Sequence, residues 1–261
     1  MKRFLIAAAA SLSLAACTPP QTAEDTNAAA EITADAPYIA AAVADERRPE
    51  EERTRDQFRR PAEMVAFAEI EPGDRVADLL PGAGYFTRIF AVAVGEEGRV
   101  YPVIRPDGVA GEYETPILAV ADEYENVTMA RAPYDALSFP EPLDVVFTAQ
   151  NYHDMAIVDY NLGDRAEMNR TAFEALAPGG LYVVIDHSAA DGHPLETDGE
   201  TALHRIDQAL VRQEVEAAGF IYEGELDVLR NAEDDRSTNV FDEAIRGRTD
   251  QFVMRFRKPA N

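Results

Sequence analysis

One strand–turn–helix segment constrains the fold more than any other part of the sequence. Residues 75–80 form a short β-rich run, and a turn that contains Gly82 and Gly84 follows it. Beyond the turn, apolar residues recur at helical spacing from Phe86 to Ala93. A strand that leads through a tight turn into an amphipathic helix is typical of a parallel sheet covered by helices.

The same alternation of strand-like and helix-like segments continues to the end of the sequence. No helix is predicted between the last two strands, so we expect them to pair antiparallel. The sequence therefore predicts an α/β fold of the Rossmann-like type: an open, mainly parallel sheet with a C-terminal antiparallel strand pair and helices on both faces. The further strands are predicted at residues 99–104, 126–132, 143–149, 181–186, 220–229 and 251–257, and the other helices at 56–70, 164–177 and 201–218.

The N-terminal residues have the pattern of an export signal. Lys2 and Arg3 precede an apolar run, residues 4–16, that is too short to span a bilayer comfortably. The run ends in Leu-Ala-Ala-Cys17, which resembles the bacterial lipobox. This resemblance implies a signal peptide over 1–16, lipidation of Cys17 and attachment to a membrane on its periplasmic side. Thr18 stands where an aspartate would retain the protein at the inner membrane, so the resemblance favours an outer-membrane lipoprotein.

Composition indicates what the segment after Cys17 can form and which classes of ligand and site the whole chain can have. Residues 17–50 contain few large apolar side chains, so they are predicted to form a flexible linker to a domain at 51–261. The chain has 48 acidic and 24 basic residues, for a net charge of −24, which disfavours binding to nucleic acid. Cys17 is the only cysteine, so an intramolecular disulfide, a cysteine nucleophile and a cysteine-based zinc site are all excluded.

The turn after the first strand carries a family resemblance. Asp78 ends the strand and Gly82-Ala83-Gly84 follows, as in the first motif of class I S-adenosylmethionine (SAM)-dependent methyltransferases. Glycine lets the backbone pass close to a ligand, and the helix N-terminus beyond it offers free N–H groups to a carboxylate. The resemblance implies SAM as cofactor, with Asp78 binding its ammonium group. The cofactor-binding residues implied are Asp78, Leu79, Pro81, Gly82, Ala83, Gly84, Tyr85, Asp135, Ala136 and Gln150.

Three later segments resemble the same family in the same order. Asp135, after the third strand, matches an aspartate that accepts a hydrogen bond from the adenine amino group; a turn-forming aspartate is the alternative. Residues 143–147 resemble the fourth-strand motif and residues 176–180 the loop before the fifth strand. Residues 151–154 and 247–250 also resemble short sequence motifs of a group of bacterial predicted methyltransferases. The sequence does not reveal the methyl acceptor of that group.

One family feature is missing from the second strand. Many members end that strand with an acidic residue that holds the ribose hydroxyls, whereas this strand has no carboxylate until Asp107. Either Asp107 takes that place, or SAM binding is weakened or lost.

The residues after the fourth strand are the candidates for chemistry. His153 is predicted to act as a general base, with Asp154 orienting it and Asn151 or Tyr152 positioning the acceptor. A loop histidine bonded to backbone is the alternative. No metal site is predicted, because no His-x-x-x-His or Glu-x-x-His spacing occurs. A site built from His153, His187 and nearby carboxylates is the alternative to that prediction.

These observations favour a methyltransferase that acts on a small molecule or an envelope component. The first alternative is an inactive binding or scaffold lipoprotein that keeps the methyltransferase fold. A nucleotide-dependent oxidoreductase is disfavoured, because the third glycine of a dinucleotide fingerprint is absent from the turn at 82–87.

Overall fold

The computed structural model describes residues 32–107 and 114–260. The predicted signal peptide, residues 1–16, and the predicted lipidation site, Cys17, lie outside the described residues. None of the described helices has the length and apolar composition needed to cross a bilayer.

A seven-stranded sheet forms the centre of the fold. Its strands lie in the order β3-β2-β1-β4-β5-β7-β6. β7 runs antiparallel to both of its neighbours, and every other neighbouring pair is parallel. The Rossmann-like sheet and the antiparallel C-terminal pair predicted from the sequence are confirmed. The strands are β1 (Arg75–Leu79), β2 (Arg99–Ile104), β3 (Ala130–Arg131), β4 (Leu143–Ala149), β5 (Leu176–His187), β6 (Ile221–Glu225) and β7 (Gln251–Arg257).

Helices cover both faces of the sheet, because side chains alternate between the two faces of a strand. In β1, Val76 packs into one hydrophobic core and Ala77 into the other. The first core is closed by α1, α4, α5 and α6, and the second by α7 and α8. The helices are α1 (Pro37–Val43), α2 (Glu50–Arg53), α3 (Asp56–Arg59), α4 (Pro61–Phe67), α5 (Tyr85–Ala93), α6 (Glu114–Glu123), α7 (Arg165–Ala175) and α8 (Gln208–Ala217).

The predicted linker at 17–50 is wrong for the part that the structure describes. Pro37 opens α1, and Ile39 and Ala42 on that helix are fully buried in the first core. The hydroxyl of Tyr38 also donates to the carbonyl oxygen of Ile70, at 3.1 Å. An alanine-rich helix needs few large side chains to pack closely, so its composition resembled that of a disordered segment.

The helix predicted at 56–70 is interrupted. Arg60 lies in the left-handed region, with φ 47°, between α3 and α4. Pro61 accounts for the break, because a proline disfavours helical geometry in the residue before it while fitting the first turn of the next helix. The two short helices therefore meet at an angle rather than forming one rod.

The helix predicted at 201–218 begins later than expected. Asp207 caps α8 by accepting a hydrogen bond from the backbone N–H of Ala209, and the residues before it are not helical. Ile206 instead forms a parallel bridge to Ser188 beyond the end of β5. Residue 204 takes a left-handed conformation, with φ 58°. The segment therefore turns inward along the carboxyl edge of the sheet.

Two more differences concern the region between β2 and β4. The strand predicted at 126–132 is reduced to β3 and a single bridge between Val100 and Val127. No helix was predicted where α6 lies, and this helix buries Ile117 and Val120 against the first core.

Candidate active site

The two glycines of the turn after β1 both adopt a backbone conformation that favours glycine. Gly82 and Gly84 both lie in the left-handed region, with φ values of 57° and 91°. A Cβ on Gly84 would lie 2.8 Å from Cγ2 of Val120, so packing of α6 requires glycine there. A Cβ on Gly82 would meet no atom within 4 Å. The open space above Gly82 is therefore not taken by packing.

Asp78 lies beside this turn at the carboxyl end of β1. Its side chain is 3% exposed, and the hydroxyl of Thr87 in the first turn of α5 donates to it at 2.6 Å. Burial raises the pKa of Asp78 to about 7, although the bond from Thr87 and the charge of Arg59 oppose the rise. A buried carboxylate of this kind is stabilised in its ionised form by a cation bound next to it.

The segment with α2 and α3 is tied to the start of α5. The Tyr85 hydroxyl donates to Oδ1 of Asp56 at 2.6 Å, and Nη1 of Arg88 donates to Oε1 of Glu52 at 2.7 Å. Nη1 of Arg88 also reaches the carbonyl oxygen of Ala83, at 2.8 Å. The side chain of Tyr85 is thus held away from the turn, and the backbone of the turn is braced from the side.

Arg59 brings positive charge to the same place. Its guanidinium carbon lies 4.3 Å from the ring centre of Tyr85 and 4.7 Å from that of Phe86. No hydrogen bond or ion pair of this guanidinium is found among the described residues. The N-terminus of α5, which no side chain caps, and the Arg59 cation together favour an anion.

Two of the predicted cofactor contacts, Leu79 and Pro81, lie just before the glycines of the turn. Leu79 is fully buried in the second core, so only its backbone is available to a ligand. Pro81 is partly exposed at the start of the turn.

The loop after β3 places Asp135 against the loop that precedes α7. Oδ2 of Asp135 accepts a hydrogen bond from the backbone N–H of Asp164 at 3.1 Å, and a Cβ on Gly163 would lie 2.6 Å from its carboxyl carbon. Asp135 therefore has the structural, turn-stabilising contact given as the alternative to adenine binding. Its neighbour Ala136 is exposed.

The end of β2 offers little to a ribose. The carboxylate of Asp107 pairs with Arg105, at 3.2 Å, and its side chain is 72% exposed. Nη1 of Arg105 also donates to the carbonyl oxygen of Tyr160, at 3.2 Å. An arginine thus follows the end of β2, and it is paired with the first carboxylate after that strand.

Gln150 and Asn151 join the end of β4 to the neighbouring strands. Gln150 is left-handed, with φ 66°, and its Nε2 donates to Oε1 of Gln251 at 3.0 Å. Nδ2 of Asn151 donates to the carbonyl oxygen of Leu80 at 2.9 Å. Asn151 therefore positions the turn after β1 and lies at the edge of the site.

Tyr152 points away from this edge, which is a correction to its predicted role. It is fully buried in the second core, where its hydroxyl donates to Oε2 of Glu214 at 2.9 Å and accepts from Nδ2 of Asn169 at 2.8 Å. Burial and the Glu214 carboxylate raise its pKa well above the ordinary value. Tyr152 holds α7 and α8 to the sheet and does not face an acceptor.

His153 is fixed by a buried carboxylate at the end of β5. Its Nδ1 lies 2.7 Å from Oδ1 of Asp186, and its backbone N–H donates to Oδ2 of the same residue at 2.7 Å. Burial acts to lower the pKa of His153, but the charges of Asp186 and Asp154 raise it to about 10. An imidazole with this pKa carries a proton at neutral pH, so the predicted general-base role lacks a free lone pair in this state.

Asp154 and His204 complete the cluster. Oδ1 of Asp154 lies 3.1 Å from Nε2 of His153 and 3.3 Å from Nδ1 of His204. Burial would raise the pKa of Asp154, but the two histidines lower it to about 2. His204 was not predicted to lie in the site, because a helix was expected at that residue. The left-handed backbone at 204 turns the ring inward.

His187 lies beside the cluster without joining it. Its ring centre is 5.9 Å from that of His153, and its Nδ1 lies 2.7 Å from Oγ1 of Thr249. Burial and the positive charge of His153 lower the pKa of His187 well below its ordinary value.

Apolar side chains line the outer side of the histidine cluster. The ring of Phe241 lies 4.8 Å from that of His204, and the ring of Tyr160 lies 6.1 Å from it. Both rings are exposed, and nearby Val158 is 72% exposed. The two exposed rings therefore cover the outer side of the buried histidine cluster.

The chain is similar to known proteins in both sequence and fold. No protein-family model matches the chain. The ubiquinone/menaquinone biosynthesis C-methyltransferase UbiE of Yersinia enterocolitica is 28% identical over 136 residues, which cover 48% of this chain and 47% of that protein. UbiE of Teredinibacter turnerae is 30% identical over 140 residues, covering 51% and 50%. The chain thus spans about half the length of the curated relatives it matches.

Solved structures share the fold over a longer stretch. A SAM dependent methyltransferase from Aquifex aeolicus superposes with a TM-score of 0.54 at 16% identity, covering 78% of this chain and 92% of its own. The [4+2]-cyclase SpnF superposes with a TM-score of 0.58 at 16% identity, covering 78% and 81%. At such identities the similarity shows the fold alone, and the reaction has to be argued from the site.

Proposed function

From its Rossmann-like fold and its partial similarity to UbiE methyltransferases, we propose that the chain is a class I SAM-dependent methyltransferase, which binds SAM and transfers the methyl group to a small-molecule acceptor. One observation carries this proposal: the buried Asp78 carboxylate, the open space above Gly82 and the N-terminus of α5 lie together at the carboxyl edge of the sheet.

The residues around the turn fit the methionine half of SAM. The ammonium group is matched by Asp78, whose ionised form gains a partner when a cation binds. The methionine carboxylate is matched by the uncapped N–H groups of α5 and by the guanidinium of Arg59. The backbone of Gly82 leaves the space through which the rest of the cofactor passes.

The adenosine half has fewer partners. Asp135 has its Oδ2 bonded to the backbone of Asp164, so adenine recognition through this residue would use its other oxygen. Ribose recognition through Asp107 requires that its pair with Arg105 opens. We therefore expect modest SAM affinity. Nothing in the fold or the comparisons supports the inactive scaffold.

Positioning the methyl acceptor against SAM is the main task of the chain in this reaction. SAM supplies a methyl group that its sulfonium centre already activates, so holding the acceptor in line with it provides much of the rate. The acceptor is expected beyond β4, between the turn after β1 and the histidine cluster. The exposed rings of Tyr160 and Phe241 suit an acceptor with an apolar or aromatic body.

We also propose export and lipid anchoring, on the N-terminal sequence alone. Lys2, Arg3, the apolar run and Cys17 form a lipobox-like pattern. Membrane partition of the wild type, with loss of partition in Cys17→Ser, is the expected result. An envelope component would then be within reach as the acceptor. Equal partition of both proteins would contradict the anchor and leave the methyltransferase proposal untouched.

Isothermal titration of the full chain with SAM and with S-adenosylhomocysteine tests the proposed function. Saturable binding of both ligands with one site is expected, and NAD is the negative control for a nucleotide pocket of the oxidoreductase type. Mass spectrometry under native conditions on protein purified without added ligand gives a second measurement. The proposal fails if neither ligand binds at millimolar concentration to protein shown to be folded by circular dichroism.

A further inference from the structure

His153, Asp154 and His204 converge on one point at the carboxyl edge of the sheet. Their ligand-type atoms, one from each residue, all lie within 4.8 Å of one another. Ligand atoms bound to one tetrahedral metal ion at about 2.0–2.1 Å are separated by about 3.3 Å. The two separations from Oδ1 of Asp154, 3.1 Å and 3.3 Å, already match that spacing.

Nε2 of His153 is aimed at this point without a hydrogen-bond partner. The side chain is almost fully buried, and Nε2 makes no hydrogen bond among the described residues, although Oδ1 of Asp154 lies 3.1 Å away. A buried polar nitrogen without a partner is costly, and a bound ion would remove that cost. The buried nitrogen without a partner therefore indicates a ligand independently of the clustering of the three side chains.

The carboxylate behind His153 has the arrangement found around metal-binding histidines. Asp186 holds Nδ1 of His153 and fixes the orientation of the ring, which leaves Nε2 as the outward atom. Ligating histidines usually give their second nitrogen to such a carboxylate. Asp186 is therefore a positioning residue, and it is too far behind the ring to be a ligand itself.

The backbone around His204 supports the same conclusion. A non-glycine residue with φ 58° is strained, and such strain persists only where the surroundings impose it. Here the next residue, Arg205, is fully buried and paired with Asp234 at 2.9 Å. The Ile206 bridge to Ser188 holds the other side. The contacts of the two residues that follow thus hold the ring of His204 facing Asp154.

From these contacts we propose that His153, Asp154 and His204 bind a divalent transition-metal ion such as Zn²⁺. Two imidazole nitrogens and one carboxylate select zinc-class ions over Mg²⁺, which prefers oxygen ligands. Three protein ligands leave a coordination position open, as in sites that bind a substrate atom rather than purely structural ones. The metal site deepens the proposed function. It rests on that function only for the identity of the substrate atom at the open position, an oxygen or nitrogen of the methyl acceptor.

The direct test is a competition titration of Zn²⁺ between a chromophoric chelator and the metal-stripped full chain. All samples carry Cys17→Ser and no polyhistidine tag, so that neither group binds the metal. One Zn²⁺ per wild-type chain is expected. His204→Asn removes the imidazole while an asparagine tolerates the left-handed backbone, and it should weaken binding by more than about 100-fold.

His193→Asn is the matched control, because His193 also lies near a carboxylate, that of Glu196 at 3.3 Å, but outside the cluster. Its Zn²⁺ affinity should stay within about twofold of wild type. Asp186→Asn should weaken binding by about 10–100-fold through the orientation of His153. The visible absorption of Co²⁺ in place of Zn²⁺ should report nitrogen coordination, and it should be lost in His204→Asn only.

Equal Zn²⁺ affinity of His204→Asn and His193→Asn, or no Zn²⁺ binding by the folded wild type, would overturn the proposal, as would binding of Mg²⁺ alone. If His204→Asn fails to fold by circular dichroism, Asp154→Asn is measured in its place. SAM titration of the same samples separates the two proposals. Zn²⁺ binding without SAM binding would contradict only the proposed methyltransferase function. SAM binding without Zn²⁺ binding would contradict only the proposed metal site.

Discussion

Nδ2 of Asn151 donates to the carbonyl oxygen of Leu80 at 2.9 Å and so fastens the end of β4 to the turn after β1. Leu80 lies in the left-handed region, with φ 52°, an uncommon conformation for a branched apolar residue. The turn that is proposed to carry the cofactor therefore depends on a side chain from the neighbouring strand.

We expect Asn151→Ala to weaken SAM binding by about fivefold, which corresponds to the roughly 1 kcal/mol of one hydrogen bond. The measurement is a calorimetric titration with SAM. Asn231→Ala is the control, since Nδ2 of Asn231 makes the same kind of bond, to the carbonyl oxygen of Arg248, away from the turn. If both variants bind SAM equally well, the turn does not depend on Asn151.

Gly82→Asn should abolish SAM binding and leave the fold intact. Asparagine tolerates a left-handed backbone, and no atom lies within 4 Å of the added Cβ, so the cost to stability should be about 1 kcal/mol. Gly179→Asn is the matched control, with φ 86° and equally open space, but it lies in the first half of β5, near the opposite edge of the sheet. Undiminished SAM binding by the Gly82 variant would place the cofactor elsewhere.

SAM affinity should depend on the ionisation of Asp78. The pKa of this carboxyl group is raised to about 7 in the free protein, and the SAM ammonium binds the ionised form. Binding should therefore tighten as the pH rises, by about 20-fold from pH 5.5 to 7.5. Asp78→Asn should bind SAM weakly at both pH values and lose this dependence. A wild-type affinity that is flat over the same range would remove Asp78 from the ammonium site.

Ile39→Ala should destabilise the protein by about 2–5 kcal/mol, because it empties a fully buried position between α1 and the first core. Urea unfolding followed by circular dichroism measures the change. Val158→Ala, at a 72% exposed position, should change stability by no more than about 0.5 kcal/mol. If the two substitutions have the same small effect, α1 does not pack on the domain.

The parts of the site that the sequence predicted are those that one short segment encodes. Asp78, Gly82 and Gly84 lie within seven positions, and the strand, the turn and the helix that hold them are predictable from local spacing. The open α/β sheet could likewise be expected from the alternation of strands and helices, and the antiparallel C-terminal pair from the lack of a predicted helix between the last two strands. These features depend on local preferences that tertiary contacts reinforce rather than override.

The parts that were missed depend on contacts between distant segments. His204 reaches Asp154 only because Arg205 pairs with Asp234 and the backbone at 204 is left-handed, and no local pattern encodes either fact. Tyr152 was misassigned for a related reason. Adjacent residues in the turn at 152–153 face opposite sides, so His153 enters the site and Tyr152 enters the second core.

The position of β7 between β5 and β6 has a consequence for the order in which the chain assembles during its synthesis. β6 leaves the ribosome before β7, yet among the strands that the structure describes β7 is its sole neighbour in the sheet. β6 therefore has no edge to join until the later strand has inserted beside β5. We therefore expect the two strands to dock at this edge together, which leaves the β5 edge open to other partners until β7 has been synthesised.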